Sequence, residues 1–562
     1  MYITKNKPRL MQNTDTKQLQ FISLAILKTK NSISKAPTLL SFYRDELQLF
    51  LFLGIYLIAW TLLMEYLPSS MHADNVEQVV WSRTWQWGYY KHPPLPSLLM
   101  YVLSHLFGGH SRGLSAFAAQ GCNVVALIYV WLLAKQILPR KLAIVAVLIT
   151  SLISYYNFRA VIFNHNTVSF PFTAALIYYF YRALHHPERL LTWLLLGIAG
   201  GLAMLTKYSV ILVLASFFVY LIWQQHWKNP VVIRGLLLSI VVFALIFSPN
   251  LIWLMEHDWL PLHYLDNQLT ASDDSRLKLF SYFFGKLVMR GWYALLAVLF
   301  LINISSRKIV AISTVECLST VGGEQFCNRQ SYDTDRRFLL AMLFMPLALA
   351  TLPMFINGSA LDISWVSAFF FPAGILLVHC FFRHYDEASL LQNTSRLVWG
   401  LQIVILLVFF GGAVVYPAMT GRSARTNYPS QELANTVSTI WRKHQSQPLT
   451  IVIAESWLGG NVLLHARPEP ILLIDNETVI SPWVNRDDVA SCGALVLTAI
   501  VDKTTPVYAD LFKQASATGS FTLLWGHPPN GQVIEYAWAI LSPEPNATPC
   551  RFTANTDAVL RE

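Results

Sequence analysis

Long apolar segments separated by short polar connections recur through the first three quarters of the chain. A helix needs about 20 mainly apolar residues to cross a hydrocarbon core of roughly 30 Å. By this criterion about eleven segments are predicted to span a membrane, the third being short. They cover residues 47–63, 114–133, 142–156, 168–181, 190–205, 210–223, 232–254, 287–304, 338–355, 363–382 and 397–416.

Composition and charge agree with this pattern, because 54% of the residues are hydrophobic and only 13% are charged. Lysine and arginine collect in short loops on the cytoplasmic side of a membrane. The tail carries Lys5, Lys7, Arg9, Lys17, Lys28, Lys30, Lys35 and Arg44, and Arg307 and Lys308 belong to a later basic loop. We therefore predict a cytoplasmic N-terminus, and an odd number of spans places the C-terminal region outside. Orientation accounts for most of the net charge of +9 better than nucleic-acid binding does, so no nucleic-acid partner is predicted.

The character of the chain changes after about residue 420, where strand-length apolar runs alternate with helix-like segments. We predict a basic cytoplasmic tail (1–45), a helical membrane domain (46–418) with a first outer loop (67–112), and a small extracytoplasmic α/β domain (419–562). The sequence Leu458-Gly459-Gly460 is interpreted as a turn. Cys492 and Cys550 either form a disulfide or stay free thiols. The domain is predicted to have an accessory role, either packing on the membrane part or contacting the molecule on which the protein acts.

Candidate chemistry lies in DNVEQVVWSRTWQWGYYKHPPL, directly after the first apolar segment. Asp74 and Glu77 are spaced i, i+3, so a helix presents both carboxylates on one face. Such a pair provides a general base or a cation site. The alternative is that both carboxylates lie in an exposed polar loop without a chemical role. Tyr89 and Tyr90 either belong to an interfacial aromatic belt or stack on a sugar.

Cationic residues at the predicted outer face suit a lipid phosphate. Lys91 and His92 precede two prolines, which fix the backbone at headgroup depth. Lys207 lies between two apolar segments with almost no connection, and ionisable groups in such places are functional by default. For Lys91 and Lys207 the alternative is a side chain that reaches ordinary lipid headgroups. Arg290 and Lys286 are weaker candidates that could instead pair with Asp273 or Asp274.

A family resemblance rests on motifs and their order along residues 47–499. DNVEQ, WGYYKHPPL, FNHNTVSFPFTAALIYYFYRAL and LTKYS together resemble the GT-C membrane glycosyltransferases. More narrowly they resemble the bacterial relatives of the dolichyl-phosphate-mannose protein mannosyltransferases, which include lipid A aminoarabinose transferases. The resemblance implies an α-helical polytopic protein that moves a sugar, with inversion, from a polyprenyl-phosphate donor to a lipid, glycan or protein acceptor. The reaction then takes place at the outer face of a bacterial inner membrane.

The resemblance also implies roles for individual residues. Asp74 matches the catalytic acid of the family, and Glu77 is assigned as its helper. Donor phosphate binding is expected of Lys91, His92, Lys207 and Arg83, and substrate contacts are expected of Asn164, His165, Asn166, Tyr89 and Tyr90.

Two departures from the family pattern concern a metal. Many relatives have adjacent Asp and Glu where this chain has Asp74 and Asn75, and many carry an acid where it has Asn164 to Asn166. Amide side chains suit hydrogen bonds to a sugar better than a two-acid metal site. We therefore predict no obligatory metal and no other cofactor. A transporter or flippase of lipid-linked or polar solutes is the alternative function, and a noncatalytic scaffold is a third.

Overall fold

The computed structural model describes residues 39–269, 274–305, 329–502, 505–545 and 547–552. The basic tail up to Lys35, the pair Arg307 and Lys308, and Asp273 lie outside the described residues. The chain forms two compact units, Met1–Gly54 and Ile55–Glu562. In the first unit, the described residues form the beginning of helix α1 (Leu39–Tyr66). The second unit contains the rest of this helix and every later helix and strand.

The membrane part of the chain is helical. Its helices are α1 (Leu39–Tyr66), α2 (Ala73–Trp81), α3 (Leu95–Leu106), α4 (Arg112–Ile137), α5 (Arg140–Thr150), α6 (His165–His185), α7 (Leu190–Met204), α8 (Ile211–Trp223), α9 (Pro230–Glu256), α10 (Leu260–Gln268), α11 (Arg276–Ile304), α12 (Arg329–Ile356), α13 (Phe371–Phe381), α14 (Glu387–Phe410) and α15 (Tyr416–Thr420). A 3-10 helix, Ile363–Phe370, precedes α13, and a π-helical turn, Gly411–Val415, joins α14 to α15.

Seven helical segments within the described residues are long and apolar enough to cross a membrane. They are Arg44–Tyr66, Arg112–Ile137, Pro230–Glu256, Arg276–Ile304, Tyr332–Ile356, Ile363–Phe381 and Glu387–Thr420. The protein is therefore a multi-pass membrane protein, but the predicted number of eleven spans is not confirmed. The difference arises where the sequence predicts spans at α5 to α8, since α5, for example, has only 11 residues.

The burial of helix α5 explains why hydropathy alone predicted a membrane span at this position. Every residue from Leu142 to Thr150 is buried, and the helix packs among α4, α13 and α14. A helix that is apolar on all sides is either lipid-facing or enclosed by protein. Here protein encloses it, and the chain continues in a 3-10 turn, Ser154–Tyr156, within the predicted span.

The C-terminal part forms an α/β domain, as predicted. Strands β1 (Ile451–Ala454), β2 (Ile471–Ile474), β3 (Ala494–Ala499), β4 (Ala517–Trp525) and β5 (Gln532–Leu541) form one sheet in the order β2-β1-β3-β5-β4. Strands β1, β2 and β3 are parallel, whereas β5 runs antiparallel to β3 and β4. The helices of this domain are α16 (Ser430–His444), α17 (Ser456–His465), α18 (Arg486–Cys492) and α19 (Pro506–Gln514). Cys492 and Cys550 form a disulfide, which decides between the two alternatives that the sequence left open.

Helix α17 contradicts the predicted turn at Leu458-Gly459-Gly460. Glu455 caps the helix by accepting hydrogen bonds from the backbone N–H groups of Trp457 and Leu458, each at 3.0 Å. A Cβ atom at Gly459 would overlap Leu472 of β2, and one at Gly460 would overlap Val76 of α2. The two glycines therefore serve close packing on both sides of a helix rather than a change of chain direction.

One hydrophobic core joins the C-terminal domain to the loop that carries α2. Val80, Trp81 and Tyr89 from this loop share a buried cluster with Trp441 and Val496 of the domain. Polar contacts reinforce the junction, because Ser70 Oγ donates to Asn461 Oδ1 of α17 at 2.7 Å. Helix α2 is thus packed firmly on one side, which fixes the direction of its polar side.

Candidate functional site

The polar face of α2 positions the two candidate carboxylates. His72 caps the helix, and its Nδ1 accepts a hydrogen bond from the Asp74 backbone N–H at 3.3 Å. Val76, Val79 and Val80 are buried, whereas Asp74 and Glu77 are only partly buried. The amphipathic sequence therefore presents both carboxylates together on the side away from the valines.

The carboxylate of Asp74 lies between an amide and a histidine. Asn164 Nδ2 donates a hydrogen bond of 2.7 Å to Asp74 Oδ2, and His72 Nδ1 lies 3.5 Å from Asp74 Oδ1. Burial raises the pKa of Asp74, but His72, Asn164 and His92 outweigh it and lower the pKa to about 2. The side chain keeps 39% of its surface exposed, so a ligand can reach it. Asp74 is accordingly ionised at neutral pH.

Glu77 and Lys91 form an ion pair beside Asp74. Lys91 Nζ donates to Glu77 Oε1 at 2.6 Å, and the two side chains expose only 23% and 13% of their surface. Burial raises the pKa of Glu77 and Lys91 opposes this increase. Burial lowers the pKa of Lys91, but the charges of Glu77 and Tyr90 and the hydrogen bonds to them together raise it by more. The ammonium group also lies 5.0 Å from the ring centroid of Tyr90 and 5.6 Å from that of Tyr264.

His92 stacks on His165 at the beginning of α6, with ring centroids 3.5 Å apart. Burial, together with the charges of Lys207 and Lys91, lowers the pKa of His92 to about 3. His92 is therefore neutral at physiological pH, and it can act toward a phosphate as a hydrogen-bond donor rather than as a cation.

Lys207 is held at the break between α7 and a short 3-10 turn, Tyr208–Val210. Its Nζ donates to Asn166 Oδ1 and to the carbonyl oxygen of Trp365, the latter at 3.2 Å. Lys207 exposes only 7% of its surface. Two neutral acceptors account for two of the three N–H bonds of the ammonium group, so one N–H remains for a ligand. Asp362 is near enough for its charge to act on the ammonium group.

Two arginines lie near each other in this region. Arg159 was not predicted as a site residue from the sequence, and Arg290 was predicted only as a weaker candidate. Burial, followed by the charge of Arg290, lowers the pKa of Arg159, while Asp74 acts on it in the opposite direction. The Arg290 guanidinium lies 5.9 Å from the ring centroid of Tyr155, and its Nε has no hydrogen-bond partner among the described residues. The signal for Arg159 was its position just after an apolar segment, next to FNHN.

The remaining candidates have other partners. Arg83 pairs through its guanidinium with Glu469 of the C-terminal domain. The Tyr89 hydroxyl donates to the Trp81 carbonyl at 2.9 Å, and the two rings stack with centroids 4.8 Å apart. In contrast to the expected pairing with Arg290 or Lys286, Asp274 forms an ion pair with Lys278 at 2.5 Å. Lys286 lies over the Tyr282 ring.

The described residues contain no group of three or more His, Cys, Asp or Glu side chains that could hold a metal ion. At the position where many relatives carry a second acid, the Asn164 amide donates to Asp74 instead. The absence of an obligatory metal stays a prediction.

The geometry brings Asp74, Glu77, Lys91, His92, Asn164, His165, Asn166 and Lys207 into one network at the ends of α2, α6 and α7. The ionised Asp74 carboxylate, which accepts a hydrogen bond from Asn164, thus belongs to the same network as the Lys207 ammonium group, which donates to the neutral amide of Asn166. Such a site can orient a hydroxyl group at the carboxylate and bind an anion at the cations.

Comparisons with known proteins agree with this chemistry. Residues 91–253 match the family model described as dolichyl-phosphate-mannose-protein mannosyltransferase. The chain is 22% identical to the lipopolysaccharide core galacturonosyltransferase RgtA of Rhizobium johnstonii over 433 residues, which cover 76% of this chain and 82% of RgtA. It is 23% identical to RgtB of the same organism, with 77% of this chain and 84% of RgtB covered.

A solved structure shares the fold. The crystal structure of ArnT from Cupriavidus metallidurans bound to undecaprenyl phosphate superposes with a TM-score of 0.57 at 12% identity, covering 86% of this chain and 97% of ArnT. These likenesses favour a glycosyltransferase over a transporter. By these likenesses in sequence and in fold, the chain resembles the GT-C superfamily of membrane glycosyltransferases.

Proposed function

We propose that the protein transfers a sugar, with inversion, from a polyprenyl-phosphate donor to a glycolipid of the cell envelope. The observation that carries the proposal is the Asp74 carboxylate, held by Asn164 beside a group of cations. Support for a lipid-linked donor comes from ArnT, which binds undecaprenyl phosphate. Support for a lipopolysaccharide acceptor comes from the activities for which RgtA and RgtB are named.

The cations would hold the donor phosphate at headgroup depth. Lys207 donates its hydrogen bonds to neutral oxygens, and Arg159 and Arg290 lie close to each other. Asp362 is the carboxylate whose charge acts on both Lys207 and Arg159. Lys91 is already paired with Glu77, so its contribution is smaller unless the donor displaces that carboxylate. Charge-assisted hydrogen bonds from these groups stabilise the negative charge that develops on the phosphate as it leaves.

Asp74 would receive the acceptor hydroxyl. The hydroxyl oxygen attacks the anomeric carbon from the side opposite the phosphate, the new carbon–oxygen bond forms, and the bond to the phosphate oxygen breaks. The electron pair of that bond leaves with the polyprenyl phosphate, and the hydroxyl proton passes to the carboxylate. With a pKa of about 2 in the free protein, Asp74 is a weak base. It therefore acts mainly by orienting the hydroxyl group and by accepting its proton late, as the phosphate departs.

The site would face the periplasm, with the N-terminus in the cytoplasm. The distribution of lysine and arginine supports this orientation. It also fits the chemistry, because a lipid-linked donor supplies sugar at a membrane face that has no nucleotide sugars.

The proposal is tested by measuring the rate of sugar transfer by the Asp74→Asn variant and by the wild-type protein, both in nanodiscs. With purified polyprenyl-phosphate sugar and envelope glycolipid, kcat should fall by at least about 10²-fold, because the hydroxyl loses its base. Asp510→Asn changes an exposed carboxylate that pairs with Lys513 and serves as the control. Full transfer by Asp74→Asn would remove the central assignment.

A further inference from the structure

The C-terminal domain contains a cavity of about 960 Å³ that the proposed chemistry does not use. It lies where the parallel strands end, because Glu455 follows β1, Asp475 follows β2, and Thr498 and Ala499 end β3. The carboxyl edge of parallel strands is the usual place for a ligand in an open α/β sheet. Its size is within the range of pockets for small molecules.

Aromatic side chains form one wall of this cavity. The rings of Tyr428 and Trp457 have centroids 4.4 Å apart, and those of Tyr428 and Trp525 are 5.3 Å apart. Trp457 and Trp525 are only partly buried, so their indole rings are accessible from the cavity. Such rings suit the apolar face of a saccharide ring.

Four carboxylates line the rest of the cavity, namely Glu455, Asp475, Asp502 and Glu535. Two of them have structural partners: Glu455 caps α17, and Asp475 accepts a hydrogen bond from the Tyr508 hydroxyl at 2.8 Å. Asp502 and Glu535 are exposed, so they are accessible to the hydroxyl groups of a ligand. Carboxylates accept hydrogen bonds from hydroxyl groups, but they repel anions.

The cavity adjoins the helix that carries Asp74. Trp457 lines the cavity and also packs on the cluster that contains Val76 and Val79 of α2. Helix α17, which Glu455 caps, packs directly on α2, because Gly460 lies against Val76. A glycan bound in the cavity would therefore extend toward the site of transfer.

We propose that this cavity binds a saccharide unit of the acceptor that carries no negative charge, and that it holds the acceptor next to α2. The inference rests on the proposed function and adds to it a second binding site, on the C-terminal domain. Anionic saccharides are rejected there, in contrast to the phosphate-binding site at the membrane edge.

Saturation-transfer NMR on the full-length protein in nanodiscs tests binding without any need for transfer. Gentiobiose, a neutral glucose disaccharide, should receive saturation, and digalacturonate at equal concentration should not. Trp525→Phe reduces the ring face, and Glu535→Gln removes an exposed charge. Trp525→Phe should weaken gentiobiose binding roughly threefold, and the double variant with Glu535→Gln roughly tenfold. Asp510→Asn, on an exposed carboxylate of the same domain outside the cavity, should leave binding unchanged.

Two results would overturn the inference: equal saturation of digalacturonate, or gentiobiose binding that is absent or indifferent to both cavity substitutions. Transfer assays separate this inference from the proposed function. Cavity variants should raise KM for the acceptor at constant kcat, whereas Asp74→Asn should lower kcat and still bind gentiobiose. If the wild-type protein transfers no sugar, the proposed function fails, and the binding experiment still decides whether the cavity is a saccharide site.

Discussion

Two polar regions of this protein have opposite charge, although a single helix, α17, separates the cavity from α2. At the membrane edge, Lys207 belongs to the same network as Asp74, and Arg159 and Arg290 lie near each other, so an anion is attracted. In the C-terminal domain the cavity combines aromatic rings with carboxylates. The difference in charge suggests that the membrane-edge region binds a phosphate and that the cavity of the C-terminal domain binds an uncharged glycan.

The largest effect is expected from removal of the buried charge at the membrane edge. Lys207→Met keeps most of the side-chain volume but loses the ammonium group that contacts Asn166 and Trp365. We expect kcat/KM for the donor to fall about 10²-fold, because the leaving phosphate loses a charged donor. Lys286→Met, which removes a charge lying over Tyr282, is the matched control. Equal activity of the two variants in a donor titration would assign Lys207 to lipid anchoring.

A moderate effect is expected at the junction. In Gly460→Ala the new Cβ would overlap Val76 Cγ1, so α17 must shift away from α2. Overpacking of this kind costs about 1–3 kcal/mol of the free energy of unfolding. Thermal unfolding in detergent measures it, and Gly121→Ala is the control because no heavy atom lies within 4 Å of its Cβ position.

The double variant Gly460→Ala/Val76→Ala sharpens this test, since removal of the opposing methyl groups should restore part of the lost stability. A Gly460→Ala protein as stable as Gly121→Ala would contradict the close packing of the two regions.

A smaller effect concerns pH. The pKa of Asp74 is lowered to about 2, so its interactions with Asn164 and His72 persist as pH falls through the ordinary aspartate pKa of about 4. They are lost only as pH approaches the lowered value. In Asn164→Ala the stabilising amide is absent, the pKa of Asp74 rises, and the acid limb of the activity profile should move to higher pH. Asn303→Ala removes an exposed amide on α11 and should leave the profile unchanged.

No effect at all is expected from a metal chelator. The residue opposite Asp74 is an amide that donates a hydrogen bond, so the membrane-edge site is held together by hydrogen bonds. Transfer should therefore proceed unchanged with EDTA. Activity that EDTA abolishes and a divalent cation restores would overturn the prediction.

The sequence predicted the membrane helices and the C-terminal domain because both depend on local apolar patterns. It failed where packing between distant segments decides the structure. Helix α5 is apolar because protein surrounds it, and the glycines of α17 fit against α2 and β2 rather than forming a turn.

Candidate site residues could be identified from the sequence because charged groups are rare next to apolar segments. Their partners could not be identified in the same way. Arg83 was assigned to a phosphate, but Glu469 lies 386 positions along the chain and pairs with it in the fold. Arg159 was missed because an apolar pattern does not show which arginine is near enough for the charge of Asp74 to act on it.

Mass spectrometry of envelope glycolipids tests the central claim most directly. A strain without the gene, complemented with the wild-type protein or with Asp74→Asn at equal membrane levels, provides the comparison. We expect one glycolipid to gain the mass of a single sugar with the wild-type protein and to lack it with Asp74→Asn. The same glycolipid masses in both strains would contradict the assignment of sugar transfer to this carboxylate.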